Sequence, residues 1–119
     1  MNDEQLVAAF PGARIDQDSR AWFAGLLERR LLVNRCADCG AWSTPPASIC
    51  PHCWSAAVQP TPVSGRGTVF SRTGEIAVVE LAEQPGLRLT AAIIDDAPIG
   101  ADVEVCWSGR YPTFQRTRP

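Results

Sequence analysis

The sequence predicts a mainly β protein, with a helix near the N-terminus, a four-cysteine ribbon, and then a small barrel or sandwich of four or five strands. Three observations carry that expectation. Two C-x-x-C pairs, Cys36-x-x-Cys39 and Cys50-x-x-Cys53, sit ten residues apart in CADCGAWSTPPASICPHC. From Gly67 onward the chain alternates between β-rich runs and turn residues, with no helical stretch between them. Ahead of the cysteines, apolar residues recur at helical spacing.

The elements follow in order. Asn2 or Asp3 would cap a short helix through LVAAF that Pro11-Gly12 terminates. A second helix is expected in DSRAWFAGLLERR, capped by Asp18 or Ser19, with Trp22, Phe23, Leu26 and Leu27 on one face. Arg29 and Arg30 would occupy its last turn, where the helix dipole favours positive charge. The aromatic stripe reads first as packing against the rest of the chain and second as a docking face. LLVNR then enters the cysteines as a strand. Pro60, Pro62 and Gly65 mark a connection. GTVFSRT and EIAVVEL form a tight hairpin around Gly74, LRLTAAII follows a Pro85-Gly86 turn, and DVEVCW and YPTFQ complete the set. The chain thus divides into a helical segment (1–34), a ribbon (35–59) and a β-domain (60–119).

Composition narrows the function. With 119 residues, 45% hydrophobic and 20% charged, the chain fits one globular domain or two very small modules. Pieces of about 60 residues or fewer bury too little surface to be comfortably stable unaided, and a metal crosslink would supply the deficit. A net charge of −2 gives no overall attraction to nucleic acid or anionic membrane. All eleven basic residues are arginine. No apolar run reaches the length of a membrane span, and MNDEQLVAAFPG lacks the basic start and apolar core of a signal peptide. The cytosol is the expected compartment, and there paired cysteines point to metal rather than disulfides.

Each C-x-x-C turn sets two thiolates on one metal, and two such knuckles complete a tetrahedral four-sulfur shell suited to zinc or, less often, iron. Cys36, Cys39, Cys50 and Cys53 are therefore the expected ligands of a structural metal, because a closed shell leaves no position for substrate. Gly40 supplies the positive φ that such a turn favours, whereas Trp54 stands in the matching place, so the knuckles are expected to differ. His52, wedged between two ligands, is expected to point away. Cys106, within a strand pattern, reads as a small core residue.

The order helix, ribbon, small β-domain resembles a prokaryotic family of zinc-ribbon plus OB-fold proteins, formerly a domain of unknown function. The resemblance rests on WFAGLLERRLLVNRCADCGAWSTPP, CPHC and PVSGRGTVFS, with weaker echoes in IGADVEV and YPTFQR, and covers residue 18 to the end. It implies that the C-terminal part is a five-stranded OB-fold-like barrel. It also implies an auxiliary subunit of thiolase-like enzymes (acyltransferases, thiolases or aldolases acting on acyl-CoA), in some cases with a hydratase-like subunit. The role implied is to stabilise the enzyme and help complete a site for a CoA thioester at the interface, within a heteromeric complex. Trp22 and Phe23 are then candidate anchors for the partner, and Arg66, Phe70 and Arg72 candidate contacts to partner or acyl-CoA. Solvated arginines flanking a strand account for Arg66 and Arg72 equally well. The family's longer segment between the first two barrel strands is missing, since Phe70–Glu75 turns almost at once into IAVVEL. That departure favours a scaffold over a CoA-binding role.

The residues themselves agree with a non-catalytic part. The only histidine lies in the ribbon, and neither a G-x-S-x-G nucleophile motif nor a phosphate-binding glycine loop is present. A second class is open, because OB-folds and zinc ribbons often bind single-stranded nucleic acid. From residue 60 onward, however, six arginines face seven acidic residues, so no positive groove is expected. An iron-loaded electron carrier ranks third, since the attached barrel gives it no advantage.

Overall fold

The computed structural model describes residues 3–117, and the Asn2 cap falls outside them. Contacts divide the chain into two compact units, 1–62 and 63–119.

The first unit opens with two short helices, α1 (Asp3–Ala9) and α2 (Arg20–Leu27). Leu6 and Phe10 are buried, and the Phe10 ring meets Phe23 at 5.0 Å between centroids. Ser19 holds the N-cap position of α2 but makes no capping bond. Its hydroxyl instead donates to the Arg14 carbonyl, and the Asp16 carboxylate takes the amides of Asp18 and Ser19. The helix ends a turn earlier than the sequence suggests. Arg29 adopts φ 58°, and the amides of Arg29 and Arg30 donate to the carbonyls of Leu26 and Gly25, a Schellman closure made without glycine at the left-handed position. Arg29 and Arg30 therefore lie past the helix rather than in its last turn. Gly25 is required here, because a Cβ would sit 2.9 Å from the Arg30 carbonyl and the Leu32 side chain.

Three antiparallel strands follow in the order β2-β1-β3: β1 (Leu32–Cys36), β2 (Trp42–Ser43) and β3 (Val58–Pro62). Pro60 and Pro62, read from sequence as a connection, belong to β3 opposite Asn34 and Leu32. An edge strand tolerates proline where the missing N–H would have faced away from its neighbour.

The second unit is a closed five-stranded barrel. Its strands are β4 (Arg66–Thr73), β5 (Ile76–Leu81), β6 (Arg88–Ile93), β7 (Asp102–Ser108) and β8 (Tyr111–Arg116). They close in the order β4-β5-β6-β8-β7, with β6 and β8 parallel and the other pairs antiparallel, an OB-like arrangement. Ala77, Val79 and Leu81 point inward by strict alternation and meet Val69, Ile93, Val103 and Phe114 in the core. The glycines of SGRGTVFS explain themselves. A Cβ on Gly65 would lie 2.4 Å from Val105, and one on Gly67 would lie 2.3 Å from the Glu80 carbonyl. That motif allows backbone to pass close to neighbouring strands. Cys106 is half-buried rather than core, with its sulfur 3.2 Å from the Thr113 hydroxyl.

Candidate metal centre and surrounding sites

The sulfurs of Cys36, Cys39, Cys50 and Cys53 all lie within 4.8 Å of one another. Cys36 and Cys53 are 3.6 Å apart, and Cys39 and Cys50 are 3.7 Å apart. A tetrahedral ion with metal–sulfur bonds of about 2.3 Å requires sulfur–sulfur separations of about 3.8 Å, close to these two distances, so the donor set suits zinc. Bound there, zinc would crosslink the knuckles as a structural ion. His52 is exposed and outside the cluster, and its amide donates to the Cys50 sulfur at 3.4 Å.

The two knuckles are near copies, contrary to the expectation drawn from Trp54. Gly40 and Trp54 take φ 78° and 65°, and their amides donate to the carbonyls of Cys36 and Cys50, each at 2.9 Å. The amides of Cys36 and Cys50 reach the carbonyls of Ala41 and Ser55 at 2.9 and 2.8 Å. A bulky residue in the left-handed region is uncommon. Knuckle geometry has overridden residue preference at Trp54, whose side chain is 81% exposed.

Amide dipoles converge on the sulfurs in matching sets. The Cys39 and Asp38 amides lower the Cys36 thiol to about 7 against the opposing effect of burial. The Cys53 and His52 amides likewise lower Cys50. Cys39 and Cys53 each accept one amide, from Ala41 and Ser55. Burial and the neighbouring sulfurs outweigh that single bond, raising Cys39 and pushing Cys53 up to about 12. The ribbon is braced around the site. Asp38 bonds Ser55, the Asn34 amide donates to the Ala47 carbonyl at 2.8 Å, and the Arg35 guanidinium lies 5.0 Å over the Trp42 ring.

The other predicted site residues fall in separate places. Trp22 is half-buried on α2, and Phe23 is half-buried against Phe10. Phe70 occupies a bulge where the β4–β5 register shifts between Val69 and Ser71. A bulge re-aims a side chain, and Phe70 is 48% exposed beneath the Arg88 guanidinium, 3.6 Å from the ring centroid. Glu80 holds Arg88 at 3.4 Å. Arg66 is exposed and lines an open cleft of 370 Å³ with Thr68, Glu80, Gln84, Asp102 and Thr117. Two carboxylates against one guanidinium do not favour a phosphate there. Arg72 uses its guanidinium on carbonyls: Gly74 (3.2 and 2.7 Å), Asp95 (3.0 Å) and Ala97 (2.7 Å). Arg88 escaped sequence reasoning, because its partner ring is separated from it by a full strand.

A closed four-sulfur ribbon followed by an OB-like barrel defines a class in which the metal holds the fold and leaves no ligand position open. Within that class, residues 23–59 match the family model described as ChsH2, rubredoxin-like zinc ribbon domain. A solved structure described as an Ltp2-ChsH2(DUF35) aldolase contains a chain 30% identical to this one, with a TM-score of 0.76, covering 87% of this chain and 98% of that one. The chain belongs to the ChsH2 (DUF35) family. A DUF35-family protein of unknown function from Sulfolobus solfataricus shares the fold at 14% identity, with a TM-score of 0.65 over 97% of this chain and 95% of that one. A probable enoyl-CoA hydratase alpha subunit from Thermomonospora curvata is 32% identical over 88% of this chain. The chain spans 38% of that relative's length.

Proposed function

We propose that this chain is a non-catalytic auxiliary subunit that binds and stabilises a thiolase-like enzyme acting on acyl-CoA or related acyl substrates. The observation that carries the reading is the near-complete match to the ChsH2 chain of an aldolase complex, 98% of which is covered at 30% identity. The hydratase subunit relative supports acyl-CoA chemistry from a second direction and suggests a hydratase-like subunit as a further partner. The aldolase relative favours aldol or retro-aldol chemistry among the partner's reactions. Its CoA thioester would lie at the interface, with this chain contributing surface rather than a nucleophile. A reducing cytosol suits its free cysteines, and no helix among the described residues is long and apolar enough to cross a membrane.

The bulged Phe70 and the half-buried Trp22 are the proposed anchors, since aromatic side chains dominate many interfaces. Phe23 and Arg72 are weaker candidates, since the Phe23 ring packs on Phe10 and the Arg72 guanidinium is engaged by barrel carbonyls. The test is co-expression with the acyl-CoA enzyme, followed by titration calorimetry of variants. Phe70→Ala and Trp22→Ala should each weaken the complex by about 2 kcal/mol, the usual size of a hot-spot loss, while the free chain keeps its melting temperature. Unchanged affinity for both would remove them from the interface, and unfolding by Trp22→Ala would assign that ring to packing.

A further inference from the structure

The four ribbon sulfurs share one geometry but not one environment. Cys36 and Cys50, which open the two knuckles, are 1% and 0% exposed, and each accepts two backbone amides. Cys39 and Cys53, which close them, are exposed and accept one amide apiece. Exposure admits a reagent, and each missing N–H···S bond leaves more electron density on sulfur. Both differences single out the same pair.

We propose that Cys39 and Cys53 form an oxidation site at which hydrogen peroxide, one molecule for each bond formed, converts the metal clamp into disulfides and frees a bound ion. The proposal rests on the structural-zinc reading of the site. All four sulfurs are thiolates when they hold the metal, and in the first step that of Cys53 or Cys39 attacks one peroxide oxygen, the O–O bond breaks, hydroxide departs, and a sulfenic acid remains on sulfur. In the second, a neighbouring thiolate attacks that sulfur, an S–S bond forms, and a second hydroxide departs. Two thiolates have lost two electrons, and the peroxide has become two hydroxides that leave as water after protonation. The electrons come from sulfur alone, so a zinc ion held there would be released unchanged as the dication once its thiolates are lost. The resolving thiols are at hand, with Cys36 3.6 Å from Cys53 and Cys50 3.7 Å from Cys39. Both links join one knuckle to the other. An oxidised ribbon therefore stays crosslinked, and a reductant with fresh zinc can restore it.

The experiment uses the full chain carrying Cys106→Ala, which removes the half-buried thiol of the barrel. Zinc per chain is measured first. Hydrogen peroxide is then added while a chromogenic chelator reports free zinc, and brief maleimide labelling of the untreated protein is mapped by peptide mass. The expected result is complete loss of the bound zinc, recovered with dithiothreitol and zinc, and labelling of Cys39 and Cys53 ahead of Cys36 and Cys50. Zinc retained under peroxide, or first labelling at Cys36 or Cys50, would overturn the proposal. A chain without zinc before oxidant would overturn both it and the metal reading, and the initial assay tells the two failures apart.

Discussion

Asp95 shows how single residues set the barrel's stability. Its carboxylate accepts the Arg116 amide at 2.7 Å and the Ala97 amide at 3.1 Å, while Arg72 binds the carbonyls of Asp95 and Ala97. The Arg116 amide above all, then that of Ala97 and the charges of Arg116 and Arg72, hold its pKa below the ordinary 3.8 against burial. A depressed folded-state value means stability that is present above the unfolded pKa and lost as pH falls through the folded one. Asp95→Asn should therefore cost about 1–3 kcal/mol in denaturant unfolding at pH 7, with the gap to wild type closing below about pH 4. Equal stability at pH 7 would contradict the assignment. Trp54 makes the opposite case. It holds φ 65° with an 81% exposed side chain, so Trp54→Gly should leave the ribbon's stability unchanged or raise it by about 1 kcal/mol. A marked loss on thermal melting would show that the indole packs in a way its exposure does not suggest. Sequence reveals the ligands because C-x-x-C spacing is itself the geometry. It hides Arg72's role, because the carbonyls it binds lie up to 25 positions away.

At the scale of elements, alternation and turn residues were enough for the barrel. IAVVEL buries every second residue, and Gly74 and Gly86 take positive φ in the turns where they were expected. Misreadings arose where one constraint displaced a local preference. Arg29 closes α2 in a place where glycine is the usual sign, and the prolines of β3 hid an edge strand. Phe70's bulge left no mark in the pattern. In the ribbon the strands are short and the arm between knuckles is irregular, so a bound metal would be its main stabilising element. Structural zinc contributes about 10–16 kcal/mol in small peptides. Chelation should accordingly abolish the ribbon's amide protection in hydrogen exchange while the β4–β8 amides stay protected. Persistence of protection in 32–62 after the zinc has gone would mean that the ribbon holds without it.

For the whole molecule, two small units of nearly equal length carry complementary tasks: one is stapled by four thiolates, the other is a barrel with its own core. The glycines at Gly65 and Gly67 serve strand packing, and the open cleft beside Arg66 carries opposing charges. Those features suit the scaffold role proposed above, and the relatives include a chain of an Ltp2-ChsH2(DUF35) aldolase structure and a probable enoyl-CoA hydratase alpha subunit. The most direct test is affinity capture of the tagged chain from its source extract, with partners quantified by mass spectrometry. The account predicts an aldolase- or thiolase-like enzyme at near-equal abundance, with or without a hydratase-like subunit. Copurifying nucleic acid with no acyl-CoA enzyme would contradict it and return the barrel to the class of single-strand binders.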